Sequence, residues 1–146
     1  MRTNNDGIVP AAIRGANAEN STGSFWTEHY RPEFTRLAPY YGAIPRRIGD
    51  ILDAQFRAGN IDQVIYSYRT PIAWHDVARN VWVRPDVTYS ITTSHHQGKT
   101  WRLENVVFIP WDCGIEEYDS YATRRSVYVG NYRNRSVGTV RAGSAA

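Results

Sequence analysis

The fold turns on three consecutive runs: Val64-Ile-Tyr-Ser-Tyr-Arg-Thr-Pro-Ile-Ala-Trp74, the polar link His75-Asp-Val-Ala-Arg-Asn80, and Trp82-Val-Arg-Pro-Asp86 leading into Val87-Thr-Tyr-Ser-Ile-Thr-Thr-Ser-His-His96. β-Branched and aromatic residues dominate the outer runs, which is the composition of strands. Val64–Trp74 therefore reads as a strand with Tyr66, Tyr68 and Thr70 on one side. Pro71 has no N–H to give a ladder and marks an edge or a bulge. Trp82–Arg84 is expected to pair back across the link, forming a hairpin. After the interruption at Pro85, a longer strand is expected from Val87 to about Ser94.

N-terminal to this unit lies the clearest helix signal, from about Pro45 to Ala58. Pro45 suits a first helical position and Gly59-Asn60 a stop. Ile48, Ile51, Leu52, Gln55 and Phe56 recur at offsets of three and four, so one face is apolar and should cover a sheet. Further short strands are expected at Asn105–Ile109 and Ser126–Tyr132. Residues 1–24 are rich in Asn, Gly, Ala and Ser without a period and read as a flexible N-terminal arm. Residues 25–138 then form a single α+β domain and residues 139–146 a frayed C-terminus. Within 25–42, aromatics are dense, but Pro32 and Pro39 restrict any helix to a turn or two. The expected architecture is an antiparallel β-sheet of four to six strands with the 45–58 helix packed on it and flexible arms at both ends.

Composition narrows the function classes. A chain of 146 residues, 42% of them hydrophobic, is one domain by size and can bury a core. Ten Tyr and five Trp outweigh four Phe, favouring rings with a polar handle for half-wet contact surfaces. Of 17 basic residues only Lys99 is lysine. Residues 120–146 hold five arginines and no acid, so the net charge of +3 belongs to the C-terminal segment and the remainder is slightly acidic. That asymmetry implies an acidic partner. Cys113 is the sole cysteine, which forbids an internal disulfide. The first residues lack the apolar run of a signal peptide, and Val106–Trp111 is too short to cross a bilayer. A soluble, intracellular protein with no membrane partner is expected.

Four constellations could carry chemistry. On an extended strand, Thr88, Ser90, Thr92, Ser94 and His96 would share a face, a row of hydroxyls ending in an imidazole. Such a row binds phosphate or sugar, or lets His96 activate Ser94 as a nucleophile, but it is also the ordinary solvent side of a sheet. His75-Asp76 and His95-His96 raise a metal site, which nothing in their spacing requires, and none is expected. Acidic neighbours argue for a buried, inert thiol at Cys113. Arg124, Arg125, Arg133 and Arg135, interleaved with Tyr121, Tyr128 and Tyr132, have the basic-plus-aromatic composition of single-stranded nucleic-acid binders, and equally suit an acidic protein surface.

Tyr66-Ser67-Tyr68, Thr70-Pro71-Ile72-Ala73-Trp74, Tyr89-Ser90, Thr92-Thr93-Ser94 and His96 together resemble an uncharacterised domain family of small bacteriophage proteins common in phages of actinobacteria. The resemblance covers about residues 63–98. It implies a phage or prophage origin, acting in the host cytoplasm or in the virion, and it transfers no catalytic residue.

No nucleotide-loop, dinucleotide, zinc-protease or paired-cysteine motif is present, and no cofactor is expected. The leading expectation is a phage-encoded, non-enzymatic interaction protein. It would bind a host or phage protein through an aromatic hairpin (Tyr66, Tyr68, Trp74, Trp82, with Thr92, Ser94 and His96) and through the basic segment of Arg124, Arg125, Arg133 and Arg135. The alternatives are a single-stranded nucleic-acid binder, a small hydrolase or nucleotide-binding protein using Ser94 and His96, and a minor structural component of the virion.

Overall fold

A computed structural model describes residues 1–31, 38–127 and 138–141. The chain is α+β. Its elements are α1 (Asn5–Ile13), β1 (Ala18–Glu19), β2 (Phe25–His29), α2 (Arg46–Arg57), β3 (Ile61–Ser67), β4 (Thr70–Asp76), β5 (Val81–Asp86), α3 (Ile91–Gly98), a 3-10 turn (Lys99–Arg102), β6 (Val106–Pro110), α4 (Ile115–Ala122), β7 (Arg124–Val127) and β8 (Gly138–Arg141). The first six strands form one open sheet in sequence order, and β7 pairs with β8 separately.

Alternation along the strands sends side chains to two faces, and both are covered. Val64, Tyr66, Trp74, Val83, Val107 and Ile109 face α2 and α4, meeting Ile48, Ile51, Leu52 and Tyr118. Phe25, Ile65, Ile72, Ala73, Trp82 and Val106 face the other way, against Ile8, Val9, Ala11, Ala12 and Leu103. The helix expected at 45–58 is thus α2, its apolar stripe buried, with Pro45 just outside it and Gly59 (φ 77°) taking the left-handed stop.

Several expectations are corrected. Residues 1–24 are not an extended or flexible arm. Asn4 Oδ1 accepts the Gly7 N–H at 3.1 Å and starts α1, whose Ile8 and Val9 are buried. Lys99 Nζ bonds Asp6 at 2.7 Å across the same face. The run Val64–Trp74 is two strands, not one, turning at Tyr68-Arg69 with Ser67 opposite Thr70. Pro71 does mark a bulge: Ile65 opposes Ala73 while Tyr66 opposes Pro71, leaving Ile72 as the extra residue. The sheet is also not wholly antiparallel, because β6 returns parallel to β5.

That return forces the largest correction. Neighbouring parallel strands need a crossover, and residues 87–105 supply it. No strand runs from Val87 to Ser94. Ser90 instead caps α3, its Oγ accepting the Thr93 N–H at 3.2 Å. Thr93, His96, Gln97 and Thr100 are the buried residues, at offsets of three, four and seven. The stripe is helical in period but polar in composition. A hydropathy reading therefore misses it, and the β propensity of Ile91, Thr92 and Thr93 points the wrong way.

Candidate functional site

The β3–β4 turn is the point where unusual backbone and exposed aromatic chemistry coincide. Only Tyr68 and Arg69 lie between the paired residues Ser67 and Thr70. Such two-residue loops demand positive φ, normally met by Gly or Asn. Here Tyr68 takes φ 54°, where a bulky side chain is strained. The tip is tied down on both sides: the Tyr68 N–H donates to the Ser24 carbonyl at 2.7 Å, and the Trp26 indole Nε1–H donates to the Tyr68 carbonyl.

The segment after residue 37 packs over this tip. The Ala43 N–H donates to Thr70 Oγ1 at 3.0 Å, and Gly42 holds φ 48°, where a Cβ would collide with the Arg69 carbonyl oxygen. Only glycine allows that approach. The passage delivers Tyr40 beside Trp26. Gly23, Trp26, Tyr40, Tyr68, Arg69 and Thr70 then line an open groove of about 620 Å³.

Its walls are ordered by ring contacts. Trp26 stacks on Tyr66 at 4.1 Å between centroids and meets Tyr40 edge-on at 5.9 Å and 72°. Below the groove, the Tyr30 and Tyr66 hydroxyls share a 2.6 Å hydrogen bond, and the Tyr40 N–H donates to Tyr66 Oη. Burial pushes the Tyr30 phenol up to about 12 and raises Tyr66 as well. These are structural hydroxyls. On top, the Arg69 guanidinium lies over the Tyr40 ring, 5.3 Å from its centroid.

The other side of the tip is a buried polar lock. Ser67 Oγ lies 2.7 Å from His96 Nδ1 and 2.9 Å from Thr93 Oγ1. Phe25 stacks on the imidazole at 4.5 Å and 4°, and the Tyr68 ring leans over it at 6.4 Å. Burial, with the neighbouring His95 charge, lowers the His96 pKa, so the ring is held neutral. A serine beside a neutral histidine is the beginning of a nucleophilic pair, but Ser67 is fully buried and a flat phenyl ring packs the imidazole. The geometry fixes α3 to the β3–β4 tip. It does not present a nucleophile.

The residues singled out in the sequence fall into separate places. Tyr68 is exposed in the groove; Tyr66, Trp74 and Trp82 are buried, so the hairpin shows one aromatic face residue where four were expected. Thr88, Ser90, Thr92, Ser94 and His96 do not form a row: Thr92 is exposed on α3, Ser94 is half-buried with its N–H on the Ser90 carbonyl, and His96 pairs with Ser67 rather than Ser94. Arg124 and Arg125 sit in β7, opposite Arg141 and Val140; Arg133 and Arg135 lie outside the described residues. His75 bonds Asp62 at 2.8 Å, away from His96's partner. Among the described residues no three His, Cys, Asp or Glu side chains converge as a metal would require. Cys113 is buried, its thiol pushed up to about 11 by burial and then by Glu117. No helix among the described residues is long and apolar enough to cross a membrane.

Sequence reasoning did not reach Trp26, Tyr40 or Arg69. The aromatic density of 25–42 was the available signal, but the register of β2 against β3, Trp26 opposite Tyr66, is what brings the rings together. Over residues 46–106 the chain is similar to a family of unknown function, DUF8033. That span holds the tip and its His96 lock, whereas Gly23, Trp26 and Tyr40 lie outside it. No curated protein and no solved structure matches the chain.

Proposed function

We propose that this chain is a non-enzymatic interaction protein that captures an extended segment of a partner protein in the groove at the β3–β4 tip. The observation that carries this is Tyr68, a bulky ring held 54% exposed at a left-handed position that glycine fills at no cost. Strain kept in place by surrounding hydrogen bonds points to use. The groove supplies what peptide recognition needs: rigid Trp and Tyr rings that bury much area for little lost side-chain freedom, a polar rim, and an anchored floor.

The basic β7 residues Arg124 and Arg125, together with Arg133 and Arg135, are read as a second, electrostatic contact for an acidic partner surface. The resemblance over residues 63–98 supports a phage or prophage setting, with a host or phage protein as partner in the host cytoplasm or the virion. Binding of single-stranded nucleic acid by the basic segment is the rival reading, and it predicts competition by arbitrary oligonucleotides.

The test is to pan a random-peptide display library on the wild type and on Tyr68→Gly. Peptides enriched by the wild type, lost on Tyr68→Gly and not displaced by single-stranded DNA are expected. Absence of enrichment, or enrichment indifferent to Tyr68→Gly, refutes the reading.

A further inference from the structure

Among the described residues that line the groove, Arg69 alone is charged. Several other cations of the described chain are paired with carboxylates: Arg2 with Glu19, Arg47 with Glu117, Arg57 with Asp53, Arg79 with Asp76 and Asp119, and Lys99 with Asp6. Arg69 has no such partner among the described residues. It is nevertheless positioned, because it rests over the Tyr40 ring and follows the tied-down Tyr68. A guanidinium held over an aromatic ring keeps its planar fork of donors available in a fixed place, which is how arginine recognises carboxylates in two-point contacts.

Among the described residues no carboxylate lines the groove to answer it. Glu19, behind the Gly23 rim, is taken by Arg2. The neighbouring rings meanwhile have their flat faces partly used: Tyr66 covers one face of Trp26, and Arg69 covers one face of Tyr40. Trp26 and Tyr40 meet edge to face and form a corner. Such a corner suits the bent, apolar bulk of a peptide side chain.

We infer that the groove selects an acidic peptide segment, with an Asp or Glu carboxylate on Arg69 and the adjoining apolar side chain in the Trp26–Tyr40–Tyr68 corner. This rests on the peptide-binding reading above and narrows it to a ligand chemistry.

Panning separates the two. Library peptides retained by the wild type should carry an Asp or Glu at one fixed position, and panning on Arg69→Gln should lose that preference while still enriching apolar peptides. The best peptide is then titrated in a double-mutant cycle, its acid changed to the amide and Arg69 changed to Gln. Each single change should weaken binding by roughly tenfold, as expected for a charge-assisted contact, and the double change little more than either. Arg69→Lys should recover part of the loss, since charge remains without the fork. Groove-dependent peptides with no shared acid, or additive losses in the cycle, overturn the acidic-ligand inference and leave peptide binding standing. If no peptide depends on the groove, or single-stranded DNA alone competes, both fall.

Discussion

Tyr68 poses the problem at the scale of a residue. A tyrosine at φ 54° costs about 1 kcal/mol relative to glycine by backbone sterics alone. Its side chain leans over His96, but more than half of it faces solvent, so packing returns little of that cost. Tyr68→Gly is therefore expected to hold or raise the melting temperature, a result that thermal denaturation reads directly. A fall of several degrees would mean that the ring is a structural peg, and the strain would lose its functional meaning. The position was visible in the sequence, since Tyr66, Tyr68 and Thr70 were read on one strand face. The backbone angle was not. A turn of Tyr-Arg breaks the Asn-Gly preference by which such loops announce themselves, and so one strand was inferred where two exist.

Asp76 shows the same dependence on context. It is wholly buried at the end of β4 and accepts bonds from Tyr118 Oη at 2.7 Å, Arg79 Nη1 at 3.0 Å and the Arg79 N–H at 3.2 Å. In sequence its place beside His75 raises a metal site without requiring one. In space it joins the β4–β5 link to α4. Asp76→Ala would strand the buried Tyr118 phenol while Arg79 keeps Asp119 and Gln55, at a cost of about 1–3 kcal/mol by the usual scale of an unsatisfied buried donor. Urea denaturation should show that loss, and a change below about 1 kcal/mol would place the network outside the fold's essentials.

Among the elements, α2 and α3 contrast. The first buries Ile48, Ile51 and Leu52 and was legible, because its period and its polarity agree. The second buries Thr93, His96 and Gln97, so its period was hidden by hydroxyls with β propensity. Its dependence on a neutral imidazole gives a pH prediction. Burial lowers the His96 pKa below 6.5, so the unfolded chain takes up a proton that the folded chain declines, and stability falls as the pH drops from 6.5 towards that lowered value. His75 behaves oppositely. Burial opposes its charge, but hydrogen bonding and attraction from Asp62, with Asn80 and Asp76, outweigh it and raise the pKa. Its contribution is complete below 6.5 and is lost as the pH rises through the raised value. The two together place a stability maximum near 6.5. Melting curves between about pH 5.5 and 8 should show it, with the acid slope removed in His96→Asn and the alkaline slope removed in His75→Gln. Unchanged slopes in those variants would contradict the assignment.

Over the whole molecule, the sheet is a partition between two cores, and residues 1–24 complete one of them. Ile8, Val9, Ala11 and Ala12 close over Phe25, Ile65, Ile72 and Leu103. Two adjacent apolar pairs split by Pro10, in a run otherwise rich in Asn, Gly, Ala and Ser, give no helical stripe to read, which is why an arm is expected from the sequence. Deleting residues 1–24 should therefore expose that face and yield insoluble or dye-binding, loosely packed protein, where removal of a true arm would leave the melting curve intact. The fold class and the α2-covered face were legible because they follow from periodicity. The groove was not, because its parts come from β2, from the segment around Tyr40 and from the β3–β4 turn, brought together only by strand register and by Gly42.

The claim that this groove is the binding site can be tested most directly by NMR titration of the intact chain with a peptide selected on it. Five tryptophans give five indole N–H signals. Trp26 lines the groove, whereas Trp111 is 65% exposed on the far side of β6 in sequence and lines no part of it. If peptide binds in the groove, the Trp26 indole and the amides of Tyr40, Tyr68, Arg69 and Thr70 shift with one common affinity while Trp111 stays still. Saturable shifts centred on Trp111 or α4, with Trp26 and the β3–β4 tip unmoved, would contradict it.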